Sequence, residues 1–161
     1  VRQMVQEDQE LRDALVDIEL EDFVQSFDLE PGAMIFHERF EGCESLKDRY
    51  FVVVCNGVPE VECFTTTTKE HGRRNSKLAT EFCEIAEHES CLPKRCFVDF
   101  RNIYPFDDIA LSSKLRSKSV KYLGQLPHGV LRRIRDGLSR CRSLSLVQKE
   151  RLLAAIDDAA V

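Results

Sequence analysis

The chain has 161 residues, of which 43% are hydrophobic and 32% are charged, and its formal net charge is −5. This composition is that of an ordinary globular protein, and the length suffices for one domain with its own core. No apolar run approaches the roughly 20 residues of a membrane-spanning helix, and the first residues lack the charged-then-apolar pattern of a signal peptide. We therefore expect a cytoplasmic protein with no membrane partner.

The first segment of the chain is acidic and has helical periodicity. Residues 1–30 hold ten acidic side chains and two arginines, a local charge of −8. Apolar residues recur there every three to five positions, as from Leu15 to Ile18 and from Phe23 to Phe27. We predict an acidic helical extension over 1–30, which either packs on the core or shields a basic surface of the same chain.

Short strands separated by turn residues follow this extension. Strands are predicted at 33–40, 50–56 and 60–66, with a loop at 41–48 and a tight turn at 56–59. Arginine opens the second strand and four threonines close the third, so the two ends can come together in an antiparallel sheet. A guanidinium beside hydroxyls and backbone amides is an anion site, and a phosphodiester is the obvious anion.

The second half of the chain alternates between strand, turn and helix patterns. We predict a basic loop at 69–77, a helix or irregular arm at 78–89, strands at 95–101 and 119–123, a polar turn at 107–108, and helices at 127–141 and 145–158. Five or so short strands with C-terminal helices place the chain in the mainly β class with α additions. Such a strand set predicts a small, strongly bent barrel or half-barrel over residues 31–161.

The seven cysteines are odd in number and irregularly spaced. Some lie within apolar strand patterns, as Cys55 does, where a thiol behaves as a small hydrophobe. We therefore expect reduced thiols and no bound cofactor. The spacing of Cys83, His88, Cys91 and Cys96 leaves a zinc-stabilised module open as an alternative, although it matches no common zinc pattern.

The order of these elements resembles that of the MazF/PemK-like toxins of type II toxin–antitoxin systems, over roughly residues 31–141. Five stretches carry the resemblance. PGAMIFHERF resembles the family's opening PGDI strand, DRYFVVVCN resembles its RPALVVS strand, and VECFTTTTK resembles its strand ending VPVTS or VPCTT. CFVDFRNI resembles the strand whose acid is followed by QPRTI, and YLGQLPHGVLRRIRDGL resembles the GKLSPEDLAKVDEAL segment that begins the last helix. The resemblance implies an SH3-like barrel with a C-terminal helix. It also implies metal-independent cleavage of single-stranded RNA, a homodimer and a cognate antitoxin.

The resemblance and the chemistry of phosphoryl transfer together suggest four catalytic residues. Arg49 would neutralise the pentavalent phosphorane, because its planar donors match phosphate oxygens and stay charged. Thr66 and Thr67 would add donors to the same oxygens, and Asp99 would accept a proton. Four further residues are predicted to bind RNA: Arg101, His71, Arg73 and Arg74.

The chain departs from the family pattern at several positions. Tyr50 stands where the family usually has proline, Phe97 stands where some members have arginine, and the loop before Arg49 lacks a histidine that some members have. A non-catalytic barrel that binds a protein or nucleic-acid partner is therefore the alternative function, and the net acidic charge favours it.

Structural interpretations of the same residues also remain open. Arg49 is then a strand-end arginine, the threonines are strand formers, and Asp99 with Arg101 is a surface ion pair. Residues 112–151 hold eleven Lys and Arg against two acids, a local charge of +9. This segment either meets nucleic acid or forms a solvated helical face.

Overall fold

The computed structural model describes residues 29–41, 47–57 and 59–159. The predicted acidic helix, whose apolar pattern covers 4–27, lies outside the described residues.

One antiparallel sheet of six strands organises the described part of the chain. The strands are β1 (Ala33–Phe40), β2 (Lys47–Asn56), β3 (Glu60–Thr67), β4 (Phe82–Ile85), β5 (Cys96–Asp107) and β6 (Val120–Gln125). Their order across the sheet is β4-β5-β3-β2-β1-β6, so β2 and β3 lie in the middle and β4 and β6 lie at the edges. The mainly β class with added helices is confirmed.

Four α-helices accompany the sheet within the described residues. They are α1 (His71–Arg74), α2 (Asp108–Ser117), α3 (His128–Arg140) and α4 (Leu146–Ala159). Two 3-10 segments, Ser76–Glu81 and Glu87–Glu89, flank β4. Among the described helices, none combines the length and the apolar character needed to cross a bilayer.

The sequence patterns located most of these elements within a few residues, and four expectations were wrong. The basic loop expected at 69–77 contains α1 and the start of the first 3-10 segment. The stretch 78–89 is not a helix or an irregular arm, because its centre pairs with β5 as β4. The strand expected at 95–101 continues to Asp107. The polar turn expected at 107–108 is the start of α2, where the side chain of Asp107 accepts a hydrogen bond from the backbone N–H of Ala110 at 2.9 Å.

Strand β2 separates two hydrophobic cores. Val52 and Val54 lie in the larger core, which α3 and α4 cover through residues such as Ile134. Phe51 and Val53 lie in the smaller core, which includes Leu111 of α2 and an aromatic cluster. All four β2 side chains are fully buried, which explains why this stretch has a continuous apolar sequence instead of an alternating one.

The cysteines behave mainly as small apolar side chains. Cys63, Cys83, Cys96 and Cys141 are buried free thiols, and only Cys91 among the six described is exposed. Within the described ranges no three His, Cys, Asp or Glu side chains are grouped as metal ligands. The four residues with zinc-like spacing are therefore not brought together as a site.

A buried carboxylate connects the segment before β4 to the C-terminal helices. Glu81 is 3% exposed. It accepts hydrogen bonds from the backbone N–H groups of Arg142 and Ser143 and from the Ser143 hydroxyl, all in the connection between α3 and α4. Burial acts to raise the pKa of Glu81, but these bonds, with one from Thr80, together lower it.

We expect Glu81→Ala to lower the free energy of unfolding by about 1–3 kcal/mol, because it leaves two backbone N–H groups without an acceptor. Urea denaturation measures this difference. The exposed Glu87 is the matched control, since Glu87→Ala removes the same charge without a buried partner. Equal stability of the two variants would contradict the role of Glu81.

A buried histidine connects β1 to α2. His37 is 5% exposed. Its Nδ1 donates to the carbonyl oxygen of Glu38 at 2.7 Å, so its Nε2 accepts from the ammonium of Lys114 at 3.1 Å. Burial lowers the pKa of His37 below its ordinary value of 6.5, the bond to Glu38 opposes this, and Lys114 lowers the pKa further.

Because the unfolded chain then binds the proton more readily than the folded one, we expect the free energy of unfolding to fall as the pH drops below 6.5. His37→Phe keeps the ring between Phe40 and Phe106 but cannot titrate, so its stability should vary less over this range. Denaturant unfolding at several pH values measures the slope. An unchanged slope in the variant would exclude His37 as its source.

Candidate active site in a basic cleft

A cleft of about 640 Å³ lies at the end of the sheet where β2 begins, β3 ends and β5 begins. Its walls also include His71 of α1 and the segment Leu92–Lys94 that precedes β5. Of the predicted catalytic residues, Arg49, Thr66, Thr67 and Asp99 all line this one cleft, and so do the predicted RNA-binding residues Arg101 and His71.

The strand register explains how these residues come together. Phe51 of β2 pairs with Thr65 of β3, Thr65 pairs with Asp99 of β5, and Asp99 pairs with Phe82 of β4. Directly paired residues share a face of the sheet. Arg49, two residues before Phe51, is therefore level with the second residue after Thr65, which is Thr67.

Arg49 carries an unsatisfied buried donor. Its Nε is buried and has no hydrogen-bond partner in the part of the chain that the structure describes. A buried N–H without an acceptor costs free energy, and native structures seldom keep one without a reason. An anion in the cleft supplies acceptors for a guanidinium, so this orphaned atom fits a phosphate ligand.

Several other cations surround Arg49. Lys47, Lys69 and Lys94 line the cleft, and within the described ranges none of these three, nor Arg49, forms an ion pair. The carboxylates in the lining are those of Asp48 and Asp99. The cleft is consequently positive, although the chain as a whole is acidic.

The two candidate threonines differ in their surroundings. Thr66 is 8% exposed. The Oγ1 of Thr67 accepts a hydrogen bond from the backbone N–H of Lys69 at 3.2 Å, which leaves its hydroxyl proton available to a ligand. Thr67 is thus the better placed donor, because it is also the residue level with Arg49.

Asp99 and Arg101 form a bidentate pair. The Nε of Arg101 donates to Oδ1 of Asp99 at 3.0 Å and its Nη2 donates to Oδ2 at 2.9 Å, while the backbone N–H of Arg101 also donates to Oδ1. These hydrogen bonds raise the pKa of Arg101. The expected ion pair is therefore present. Within this pair Oδ2 accepts one hydrogen bond and Oδ1 accepts two, so Oδ2 keeps the greater capacity to accept another.

His71 is held against an aromatic ring. Its imidazole stacks on Phe82, with ring centroids 5.2 Å apart and planes 21° apart. The other two predicted RNA-binding residues, Arg73 and Arg74, belong to α1, but their side chains lie outside the part of the chain that is described.

Sequence reasoning missed part of the cleft. The additional lining residues are Lys47, Asp48, Lys69, Leu92, Pro93, Lys94, Cys96, Asn102 and Tyr104. Lys69 belongs to the basic loop that the sequence did show. Lys94 carries no local signal, because its place in the cleft depends on the path of the loop before β5.

The chain matches no family model and no curated protein. The function is therefore inferred from the residues of the cleft and from the motif resemblance.

We expect Arg49→Met to leave the free energy of unfolding unchanged or to raise it by up to about 1–3 kcal/mol, because it removes a buried donor without a partner. Thermal and urea unfolding measure the change. Arg101→Met is the matched control, and it should destabilise the protein, since it leaves Asp99, whose side chain is 13% exposed, without its partner. Equal destabilisation by both substitutions would contradict the inference that the buried Nε of Arg49 lacks a hydrogen-bond acceptor.

Proposed function

We propose that this protein is a metal-independent endoribonuclease of the MazF/PemK type, which cleaves single-stranded RNA in the basic cleft. The observation that carries the proposal is the buried Nε of Arg49, which has no partner among the described residues, lies level with Thr67 and is surrounded by lysines that form no ion pair with those residues. The six antiparallel strands followed by α3 and α4 support the same assignment. We infer that this sheet bends into an SH3-like barrel.

In the proposed reaction, the 2′-oxygen of a ribose attacks the adjacent phosphorus and the bond from phosphorus to the 5′-oxygen breaks. The products are a 2′,3′-cyclic phosphate and a free 5′-hydroxyl. Asp99 accepts the proton of the 2′-hydroxyl through Oδ2, and the leaving 5′-oxygen takes a proton from water. Arg49 and Thr67 donate to the equatorial oxygens, where negative charge develops.

The lysines have a separate task in this proposal. Lys47, Lys69 and Lys94 contact phosphates on either side of the scissile linkage, and they carry no sequence information. Binding through such contacts weakens as the salt concentration rises, because released counterions drive it. Arg101, oriented by Asp99, adds a further phosphate contact at the floor of the cleft.

The resemblance extends the proposal to partners. We infer a cytoplasmic homodimer whose two clefts form one RNA-binding surface, together with a cognate antitoxin that neutralises it. Both inferences depend on the motifs quoted from residues 31–141.

A second candidate function is a non-catalytic module that binds an anionic strand or an acidic protein segment. The bidentate pair favours it, because Arg101 engages both oxygens of Asp99. In that arrangement Asp99 can serve to position Arg101 for anion binding, and this role fits the geometry as well as proton transfer does. The departures at Tyr50 and Phe97 point the same way.

The decisive experiment incubates the purified protein with long single-stranded RNA in EDTA. We expect discrete fragments ending in 2′,3′-cyclic phosphate, and a loss of at least about 100-fold in rate for Arg49→Ala, the size found when one charge-stabilising donor is removed. Arg132→Ala is the control, since this arginine is exposed on α3 and lies outside the cleft.

The outcomes separate the candidates. Cleavage by the wild type and by Arg132→Ala but not by Arg49→Ala supports the ribonuclease. Salt-dependent RNA binding without cleavage, lost in Arg49→Ala, overturns it in favour of the binding module. If the protein neither cleaves nor binds RNA, RNA is excluded as its ligand.

A further inference from the structure

An aromatic support lies behind one wall of the cleft. Phe82 of β4 carries the imidazole of His71 on its ring and has the guanidinium of Arg101 at 4.9 Å from its centroid. His71 and Arg101 line the cleft, whereas Phe82 does not. Two planar polar groups that contact this ring thus line the cavity.

From this arrangement we propose that His71 is a base-stacking residue, which holds a nucleobase of single-stranded RNA beside the scissile phosphate. This inference rests on the proposed function. It adds a recognition subsite for the base to the phosphate contacts already described, and it gives His71 a role that does not depend on proton transfer.

The exposed face of the imidazole is the argument for stacking. Planes 21° apart are close to parallel, so one face of His71 is covered by Phe82 and the opposite face is directed away from it. Because His71 lines the cleft and is only half-buried, we infer that this opposite face borders the cavity. An aromatic ring with one supported face and one open face is what unstacked RNA bases bind.

The backbone of His71 is fixed before any ligand arrives. Its N–H donates to the carbonyl of Lys69 at 3.1 Å, and its carbonyl accepts from the N–H of Asn75 at 3.2 Å. A Cβ atom at Gly72 would lie only 3.1 Å from the Cα of Ala79, so α1 packs closely on the following 3-10 segment. Such preorganisation reduces the ordering cost of binding.

The position of the base relative to the phosphate follows from the sheet. Phe82 lies three strands from β2, a span of about 14 Å at the usual strand spacing, and His71 extends from Phe82 toward the cavity. The stacked base therefore belongs to a nucleotide that flanks the linkage at Arg49. Stacking accepts any base, so this subsite contributes affinity and alignment more than sequence selectivity.

The test uses a single-stranded 2′-O-methyl oligonucleotide that contains 2-aminopurine, because a blocked 2′-oxygen prevents cleavage while stacking quenches the fluorescence. We expect the wild type to quench the probe. His71→Ala should abolish the quenching and weaken binding roughly 5- to 150-fold, and His71→Phe should retain both properties. The matched control is His128→Ala, since His128 is exposed at the start of α3.

A second readout separates stacking from charge. If His71 acts by stacking, the salt dependence of binding is the same for wild type and His71→Ala, because no phosphate contact is lost. Thermal unfolding of each variant checks that α1 remains folded, and His71→Phe serves if the alanine variant does not fold.

Each result has a distinct meaning. Quenching that persists in His71→Ala, or a phenylalanine variant as weak as the alanine variant, overturns the inference even if the wild type cleaves RNA. Failure of the wild type both to bind the probe and to cleave RNA overturns the proposed function, and the inference falls with it.

Discussion

The burial of β2 on both faces is the constraint on which the rest of the structure depends. Its side chains point alternately into two cores, so a shift of the register by one residue would exchange their contents. Phe51 and Val52 are both fully buried and cannot change places without loss of packing. Because the register is fixed in this way, Arg49 at the start of the strand has a fixed place opposite the end of β3.

The cleft combines this fixed place with an unsatisfied charge. A surface arginine would turn toward water, but the Nε of Arg49 is covered and has no partner within residues 29–41, 47–57 and 59–159. Folding energy from the two cores holds the guanidinium there, and a ligand that supplies acceptors recovers the lost hydrogen bond. Binding and stability are therefore opposed at this residue, as is common at functional sites.

Local patterns explain which parts of this arrangement the sequence could predict. β1 and the helices α3 and α4 follow from clear periodicity and turn residues, and Arg49, Thr67 and Asp99 sit on strands that the sequence could place in order. β4 was missed because it has only four residues, too few for the alternation of buried Cys83, exposed Glu84 and buried Ile85 to mark a strand. Lys94 was missed for another reason, since its position depends on long-range packing of a loop. The acidic extension stays a prediction.

Glu81 gives the cleft wall a thermodynamic connection to the opposite side of the molecule. It directly precedes Phe82, and its carboxylate is bonded to the connection between α3 and α4. A molecule that binds at the connection between α3 and α4 and alters those bonds would change the free energy needed to keep Phe82 in place. It would thereby also affect the imidazole of His71, which stacks on Phe82. Linkage makes such an effect reciprocal: a ligand in the cleft would change the affinity at the helices by the same factor.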